Sequence, residues 1–277
     1  MRIKIGNFDL KFNNPMQENN FLLLIVDPQN DFCHPEGALY IPGADEDMAR
    51  LSQFIMQNKD DISQIIITRD EHQVMDISHP AFWSNAEGVM PDPFTVITHR
   101  DVADKKWFPV SMYNEVVDYL QALEQNDEMK HVIWPEHCLA GSWGAAFNDD
   151  LMEAISGWAR EGHFYSMVSK GQNPMTEHFG ALRANVVLED DPSTHVNQRL
   201  VFELAAADTI VIAGEARSHC VANTLKQIME QPEIKGQIIL LTDCMTSVAG
   251  FENVADEVYR LAQERGIIFG STDFFQP

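Results

Sequence analysis

Short, continuous apolar runs alternate along the chain with segments in which apolar residues recur every three or four positions. The run at 21–26 reads FLLLIV, and such a run is typical of a strand buried on both faces of a parallel sheet. The predicted strands are Phe21–Val26, Ile62–Thr68, His131–Trp134, His163–Val168, Ala207–Ala213, Gly236–Leu241 and 267–269, with a short extra strand at 94–98. The predicted helices are 44–58, 113–124, 145–160, 197–207, the segment that follows Ser218, and 252–263.

Strands that alternate with helices predict an α/β fold of three layers, α/β/α, in which helices cover both faces of a mostly parallel sheet. The length of 277 residues suits a single domain over 1–277. We expect residues 1–20 to form an N-terminal arm or an edge hairpin, 73–93 a long surface loop, and 171–195 an irregular segment.

Composition and charge narrow the possible settings and partners. No apolar run approaches the roughly 18 residues that a membrane helix needs, and the N-terminus lacks the apolar centre of a signal peptide. The four cysteines lie far apart, so we expect a reducing, cytoplasmic setting. The formal net charge of −23 disfavours nucleic acid and anionic membranes as partners.

The stretch at 211–224 reads VIAGEARSHCVANT and marks a change from strand to helix. The apolar run ends at Gly214, and after Ser218 the apolar spacing becomes helical. Cys220 falls about one turn inside the helix start, where the helix dipole and free N–H groups favour a thiolate. We therefore predict that Cys220 is a nucleophile; the alternative is a small, buried packing residue.

Several polar residues follow directly after predicted strands, at the edge of a parallel sheet where ligands bind. Asp27 is the natural base for the thiol, and Lys170 can hold its charge and favour the thiolate. Backbone N–H groups near Ala216 and Cys220 are the expected donors to an oxyanion.

A second group at the same edge predicts a metal site. In extended chain the side chains of Asp70 and His72 point to the same side and can share a cation. His137 is the best third ligand, and His79 and His99 are its rivals. Carboxylate and imidazole suit zinc, manganese or iron, and spacing does not choose among them.

These residues lie within five segments that, in this order, resemble the motifs of the nicotinamidase/pyrazinamidase family, which belongs to the isochorismatase-like cysteine hydrolases. The segments are Leu23–Cys33 (LLIVDPQNDFC), Thr68–His72 (TRDEH), Trp134–Cys138 (WPEHC, followed by Gly141 and Gly144-Ala145), Ser169–Gly171 (SKG) and Gly214–Val221 (GEARSHCV). The resemblance runs from about Leu22 to Thr246 and implies the isochorismatase-like hydrolase fold, with a mostly parallel sheet of six strands.

The resemblance also implies roles for individual residues and a reaction. It implies a catalytic triad of Asp27, Lys170 and Cys220, a metal bound by Asp70, His72 and His137, and a cis peptide at Glu215–Ala216 beside the oxyanion hole. Phe32 and Trp134 would enclose the substrate ring, with Glu215 and His219 as further substrate contacts. The substrate would be a small amide, cleaved to the acid and ammonia through a thioester, and we expect a homo-oligomer.

The chain departs from the family pattern at several positions. Glu71 and Gln73 flank His72 where Trp and Pro are usual, and Asp76 stands where a second His usually follows. Glu215 and Arg217-Ser218 replace an apolar residue and Thr-Asp. The chain is also longer, at the N-terminus and in the pocket-side segments 73–130 and 171–207.

These departures leave the substrate open. A different small amide or carbamoyl compound is the main alternative to nicotinamide. A vinyl-ether hydrolase is disfavoured because family members with that activity lack the metal motif. A non-catalytic binding protein is disfavoured because every motif residue is retained.

Overall fold

A computed structural model describes residues 2–5, 8–11, 20–125 and 129–274. The strands are β1 (Arg2–Ile5), β2 (Phe8–Lys11), β3 (Phe21–Val26), β4 (Ile62–Asp70), β5 (Trp83–Ser84), β6 (Phe108–Pro109), β7 (Tyr165–Lys170), β8 (Thr209–Gly214), β9 (Gln237–Leu241) and β10 (Ile268–Gly270). Six of them, all parallel, form the main sheet in the order β10-β9-β8-β3-β4-β7.

The centre of the sheet is β3, which pairs with β4 on one side and β8 on the other. All six of its residues are buried, because both faces of a central parallel strand are covered. Val26 lies opposite Gly214, and Asp70 lies opposite Lys170. The carboxyl ends of β3, β4, β7 and β8 therefore meet at one edge, which is where the sequence predicted the site.

Helices flank this sheet, as the α/β prediction requires. They are α1 (Asn30–Cys33), α2 (Ala44–Gln57), α3 (His99–Ala103), α4 (Tyr113–Gln125), α5 (Asp149–Arg160), α6 (Gln198–Ala205), α7 (Ala222–Met229) and α8 (Asp256–Glu264). Helix α2 packs against α5, and α7 packs against α8. Their apolar faces join the strands in one large hydrophobic core.

The prediction of a core strand at His131–Trp134 is wrong. The segment pairs with the chain near 94–97 through an isolated antiparallel bridge between Val96 and Val132, so neither it nor the predicted extra strand at 94–98 belongs to a sheet. Val132 and Trp134 pack into the main core, and Ile133 packs into a second hydrophobic cluster. Because this segment is buried between two hydrophobic clusters, it has the same apolar run as a central strand. The pattern therefore predicted a strand where none forms.

That second cluster also corrects the predicted surface loop at 73–93. The side chains of Ile77, Phe82 and Trp83 are buried in it, and the indole N–H of Trp83 donates to the carbonyl of Ile77 at 2.7 Å. Helix α4 supplies the opposite wall of this cluster, which we call the second core. The segment 73–130 therefore carries hydrophobic packing of its own.

Element ends differ from the predictions by a few residues. Helix α5 begins at Asp149 rather than at 145, because the Asn148 side chain accepts the N–H of Leu151 and caps the helix there. Strands β1 and β2 pair as an antiparallel hairpin, in agreement with one of the two expectations for 1–20; the other residues of that segment lie outside the described residues.

Within the described ranges, none of the helices combines the length and apolar character needed to span a bilayer.

Candidate active site

The turn that follows β8 holds Cys220. Residues Arg217–Val221 form a single π-helical turn, closed by the N–H of Val221 donating to the carbonyl of Ala216 at 3.1 Å, and α7 begins directly afterwards. The peptide between Glu215 and Ala216 is cis, as the family resemblance implied. Among the described residues, the N–H of Ala216 donates to no backbone carbonyl. The turn thus offers a buried thiol beside an unengaged N–H donor.

Lys170 connects Asp27 with Cys220, the two other members of the implied catalytic triad. Its Nζ lies 2.8 Å from Oδ2 of Asp27 and 3.6 Å from Sγ of Cys220, and all three side chains are buried. The hydroxyl of Thr68 donates to the other Asp27 oxygen at 2.5 Å. Three residues distant along the chain therefore meet at the carboxyl edge of the sheet.

The protonation of these groups differs from the sequence argument in one respect. Burial raises the pKa of the Cys220 thiol well above its usual range, and the Lys170 ammonium only partly opposes this effect. Burial also raises the pKa of Asp27, again against the opposing charge of Lys170. Burial alone would lower the pKa of Lys170, but the Asp27 and Asp70 carboxylates raise it well above its usual range. Burial therefore favours the thiol form of the resting sulfur, whereas its place at a helix start favours the thiolate, and the neighbouring Asp27 carboxylate can accept its proton.

Asp70, His72 and His137 converge beside this group. One ligand atom from each lies within 4.8 Å of the other two, and Nε2 of His72 and of His137 lie 3.2 and 3.9 Å from Oδ2 of Asp70. The opposite ring nitrogens are held in place, that of His72 by Asp76 at 3.0 Å and that of His137 by the Pro135 carbonyl at 2.8 Å. Such outer partners fix the orientation of metal-binding imidazoles, so the donor set fits one divalent cation.

The two rival ligands do not enter this group. His79 lies behind His137, with Nε2 3.4 Å from Nδ1 of that ring, and its own Nδ1 contacts the Gln73 carbonyl at 2.9 Å. His99 lies at the start of α3, where its side chain is partly exposed and pairs with Glu124.

A narrow pocket opens above the Cys220 sulfur. Its walls are largely apolar and aromatic, and they include Phe32, Trp134 and His219, three of the four residues predicted to contact substrate. The lining residues are Phe32, Leu39, Ile41, Asp70, His72, Trp134, His137, Glu177, Phe179, Ala216, His219, Cys220 and Val248. The His219 ring lies edge-on to Trp134, with centroids 5.0 Å apart, so the wall suits a flat ring.

The fourth predicted contact, Glu215, does not line the pocket. Its carboxyl accepts the N–H of Thr246 at 3.1 Å, on the far side of the turn. Arg217, the other charged departure from the family motif, places its guanidinium 4.2 Å from the centre of the Tyr259 ring. A sequence does not reveal the direction of side chains in an irregular turn, and neither Glu215 nor Arg217 lines the pocket.

Sequence reasoning missed Glu177 as a pocket residue. Its side chain is buried, its Oε1 has no hydrogen-bond partner among the described residues, and burial raises its pKa to about 8. Phe179 joins it on the same wall. Both belong to the pocket-side segment 171–207, where the only available signal was extra length without a motif.

Asp31 fixes the loop that carries His137. Its carboxylate accepts the N–H of Cys138 at 2.6 Å and that of Ala38 at 2.9 Å, and it fills the space where a Cβ at position 144 would lie, 2.0 Å away. We expect Asp31→Ala to lower the free energy of unfolding by about 2–4 kcal/mol, because the buried N–H of Cys138 and the N–H of Ala38 lose a charged acceptor. Urea unfolding measures this loss, and a change within experimental error would contradict the role of Asp31.

The chain is similar in sequence and fold to nicotinamidases. No protein-family model matches it. It is 27% identical over 203 residues to the nicotinamidase of Saccharomyces cerevisiae, covering 73% of this chain and 78% of that protein.

Two solved structures extend the likeness to the fold. The yeast nicotinamidase bound to the inhibitor nicotinaldehyde superposes with a TM-score of 0.64 at 20% identity, over 91% of this chain and 99% of the other. The Pyrococcus horikoshii pyrazinamidase in complex with zinc gives 0.54 at 19% identity, over 91% and 99%. In its parallel sheet, and in motifs that follow the family order, the chain is similar to the nicotinamidase and isochorismatase-like hydrolases.

Proposed function

We propose that this protein is an amidohydrolase that converts nicotinamide, or a similar small amide, to the acid and ammonia. The observation that carries the proposal is the contact of Lys170 with both Asp27 and Cys220 at the base of an aromatic pocket. A thiol, a base and a fixed cation in one buried group are the requirements of covalent amide hydrolysis. The nicotinamidase activity of the yeast relative agrees with this chemistry.

The reaction begins when Asp27 takes the proton of Cys220 and the sulfur attacks the amide carbon. A C–S bond forms, and the carbonyl oxygen becomes an oxyanion that the N–H groups of Ala216 and Cys220 stabilise. Asp27 then returns the proton to the nitrogen as the C–N bond breaks, so ammonia leaves and a thioester remains. A water molecule, deprotonated by Asp27, attacks the thioester and releases the acid and the thiol. Lys170 keeps its charge throughout and holds Asp27 in position.

Asp70, His72 and His137 would hold one divalent cation, with zinc, manganese and iron all compatible with these ligands. Zinc in the P. horikoshii pyrazinamidase supports such a site. When bound, the ion would supply a Lewis-acidic position that orients a polar ring atom of the substrate. Phe32 and Trp134 would enclose the ring.

The direct experiment measures ammonia release by the purified protein from nicotinamide, pyrazinamide and benzamide. We expect turnover of at least one pyridine or pyrazine amide and slower turnover of benzamide. Turnover of a carbamoyl compound instead would support the alternative substrate class. Oε1 of Glu177, which lines the pocket and has no hydrogen-bond partner among the described residues, favours that class. Absence of ammonia from every amide, with metal supplied, would contradict the proposal.

The metal site is tested by metal content together with activity. We expect His137→Ala to lose bound metal and to lower ammonia release about a hundredfold or more, because it removes one of three ligands. Elemental analysis after purification measures the metal, and chelation followed by zinc, manganese or iron identifies the active ion.

His99→Ala is the matched control for this variant. His99 pairs with Glu124 at the surface, so the control should retain both metal and activity. Full metal occupancy in His137→Ala would contradict the assignment of His137 as a metal ligand.

The single domain, the cytoplasmic location and the homo-oligomer stay predictions from the sequence.

A further inference from the structure

One buried acid beside the nucleophile has no part in the proposed chemistry. Glu215 lies between Gly214, the last residue of β8, and Ala216, and its side chain is excluded from solvent. The family motif usually has an apolar residue at this position. A carboxyl group placed there needs partners, because its burial without them is costly.

Those partners connect the turn to helix α2. Oε2 of Glu215 accepts the N–H of Thr246 at 3.1 Å, and the hydroxyl of Thr246 donates to Oδ2 of Asp47 at 2.6 Å. Asp47 is buried on α2 and pairs with Arg50. Thr246 therefore joins one carboxyl beside the nucleophile to a second carboxyl on the helix.

The same loop holds the turn through its backbone. The N–H of Gly214 donates to the Cys244 carbonyl, and the N–H of Arg217 donates to the Thr246 carbonyl, both at 2.9 Å. These two bonds lie on either side of Glu215. The Thr246 N–H bond to the Glu215 side chain completes a clamp around the residues that precede Cys220.

The surroundings of the Glu215 carboxyl favour its neutral, protonated form. Oε1 has no hydrogen-bond partner among the described residues, and Glu215 forms no ion pair with any of them. Burial and the charge of Asp47 raise the pKa of Glu215 well above its usual range. A neutral acid, like a glutamine amide, can accept from Thr246 without placing a second negative charge near Asp47.

We propose that Glu215 is a positioning residue, which holds the Ala216–Cys220 turn in the geometry of the oxyanion hole by joining it, through Thr246 and Asp47, to α2. This inference rests on the proposed function, since it assigns the turn its role in amide hydrolysis. Glu215 does not touch substrate; it acts through the N–H groups that face the developing oxyanion. Small displacements of such donors reduce the rate of the chemical step.

The test compares Glu215→Met with Glu215→Gln in the intact, metal-loaded protein. Methionine fills a similar volume without a donor or an acceptor, and we expect it to lower kcat for amide hydrolysis about tenfold or more. KM should change by less than about threefold, because the pocket walls are untouched. Glutamine should retain kcat within about threefold of the wild type, because it reproduces the neutral acid.

Wild-type turnover is measured first, so a failure of the proposed function is seen before any variant is compared. Glu233→Met makes the same chemical change at an exposed position and should leave kcat and KM unchanged. If Glu215→Met does not fold, Thr246→Val provides the alternative test. It removes the hydroxyl that donates to Asp47 and should reduce kcat without a matching change in KM. An unchanged kcat in Glu215→Met, or equal losses in the Met and Gln variants, would overturn the proposal.

Discussion

Replacing Cys220 with alanine is expected to reduce ammonia release by a factor of about 10⁴ or more, because the variant lacks the sulfur atom of the proposed thioester. A small residue at this buried position should leave the fold intact. The measurement is a coupled ammonia assay under single-turnover conditions, with the thermal unfolding midpoint as the test of folding. Mass spectrometry of the quenched reaction should show a covalent adduct in the wild type and none in the variant.

Cys244→Ala is the matched control for this prediction. Cys244 is also a free, buried thiol, but it lies outside the pocket. We expect the control to retain activity within about threefold of the wild type, since it removes no reacting group. Substantial ammonia release by Cys220→Ala, with Cys244→Ala impaired, would show that the nucleophile has been misassigned.

Replacing Lys170 with methionine is expected to affect both stability and activity. The ammonium lies 2.8 Å from Asp27 and 3.1 Å from Asp70, and methionine would leave the Asp27 carboxylate buried without its cation. Breaking a buried ion pair in this way costs about 3–5 kcal/mol. We expect urea unfolding to show that loss, and kcat to fall about a thousandfold because Asp27 loses its fixed geometry.

Two comparisons separate this effect from a general loss of charge. Lys59→Met breaks an ion pair with Glu161 at the surface, and should cost no more than about 1 kcal/mol. Adding Asp27→Asn to the Lys170→Met variant removes the orphaned carboxylate, so we expect part of the stability to return while the activity stays low. Equal unfolding free energies for the two lysine variants would contradict the buried ion pair.

The sequence predicted the central part of the fold because local and long-range signals agreed there. The run FLLLIV in β3 is buried on both faces, and Asp27, Asp70 and Lys170 follow strands that end at one edge. Parallel topology then brings them together without further information. The same reasoning failed at 131–134, because a segment between two cores has the same apolar pattern as a central strand.

Side-chain direction and protonation were beyond the reach of the sequence. Glu215 and Cys220 lie in one short turn, yet one side chain contacts Thr246 and the other lines the pocket. The Cys220 thiol was expected to ionise from its place at a helix start, whereas complete burial has the larger effect on its pKa. Glu177 was missed because a pocket residue in an irregular segment has no periodic pattern.

Through the second core, changes in the segment 73–130 can alter substrate preference without altering the catalytic group. Ile133 is buried in that core, and the next residue, Trp134, lines the pocket. Substitutions that repack the second core should therefore shift the pocket wall at Trp134 while the sheet and Cys220 stay in place.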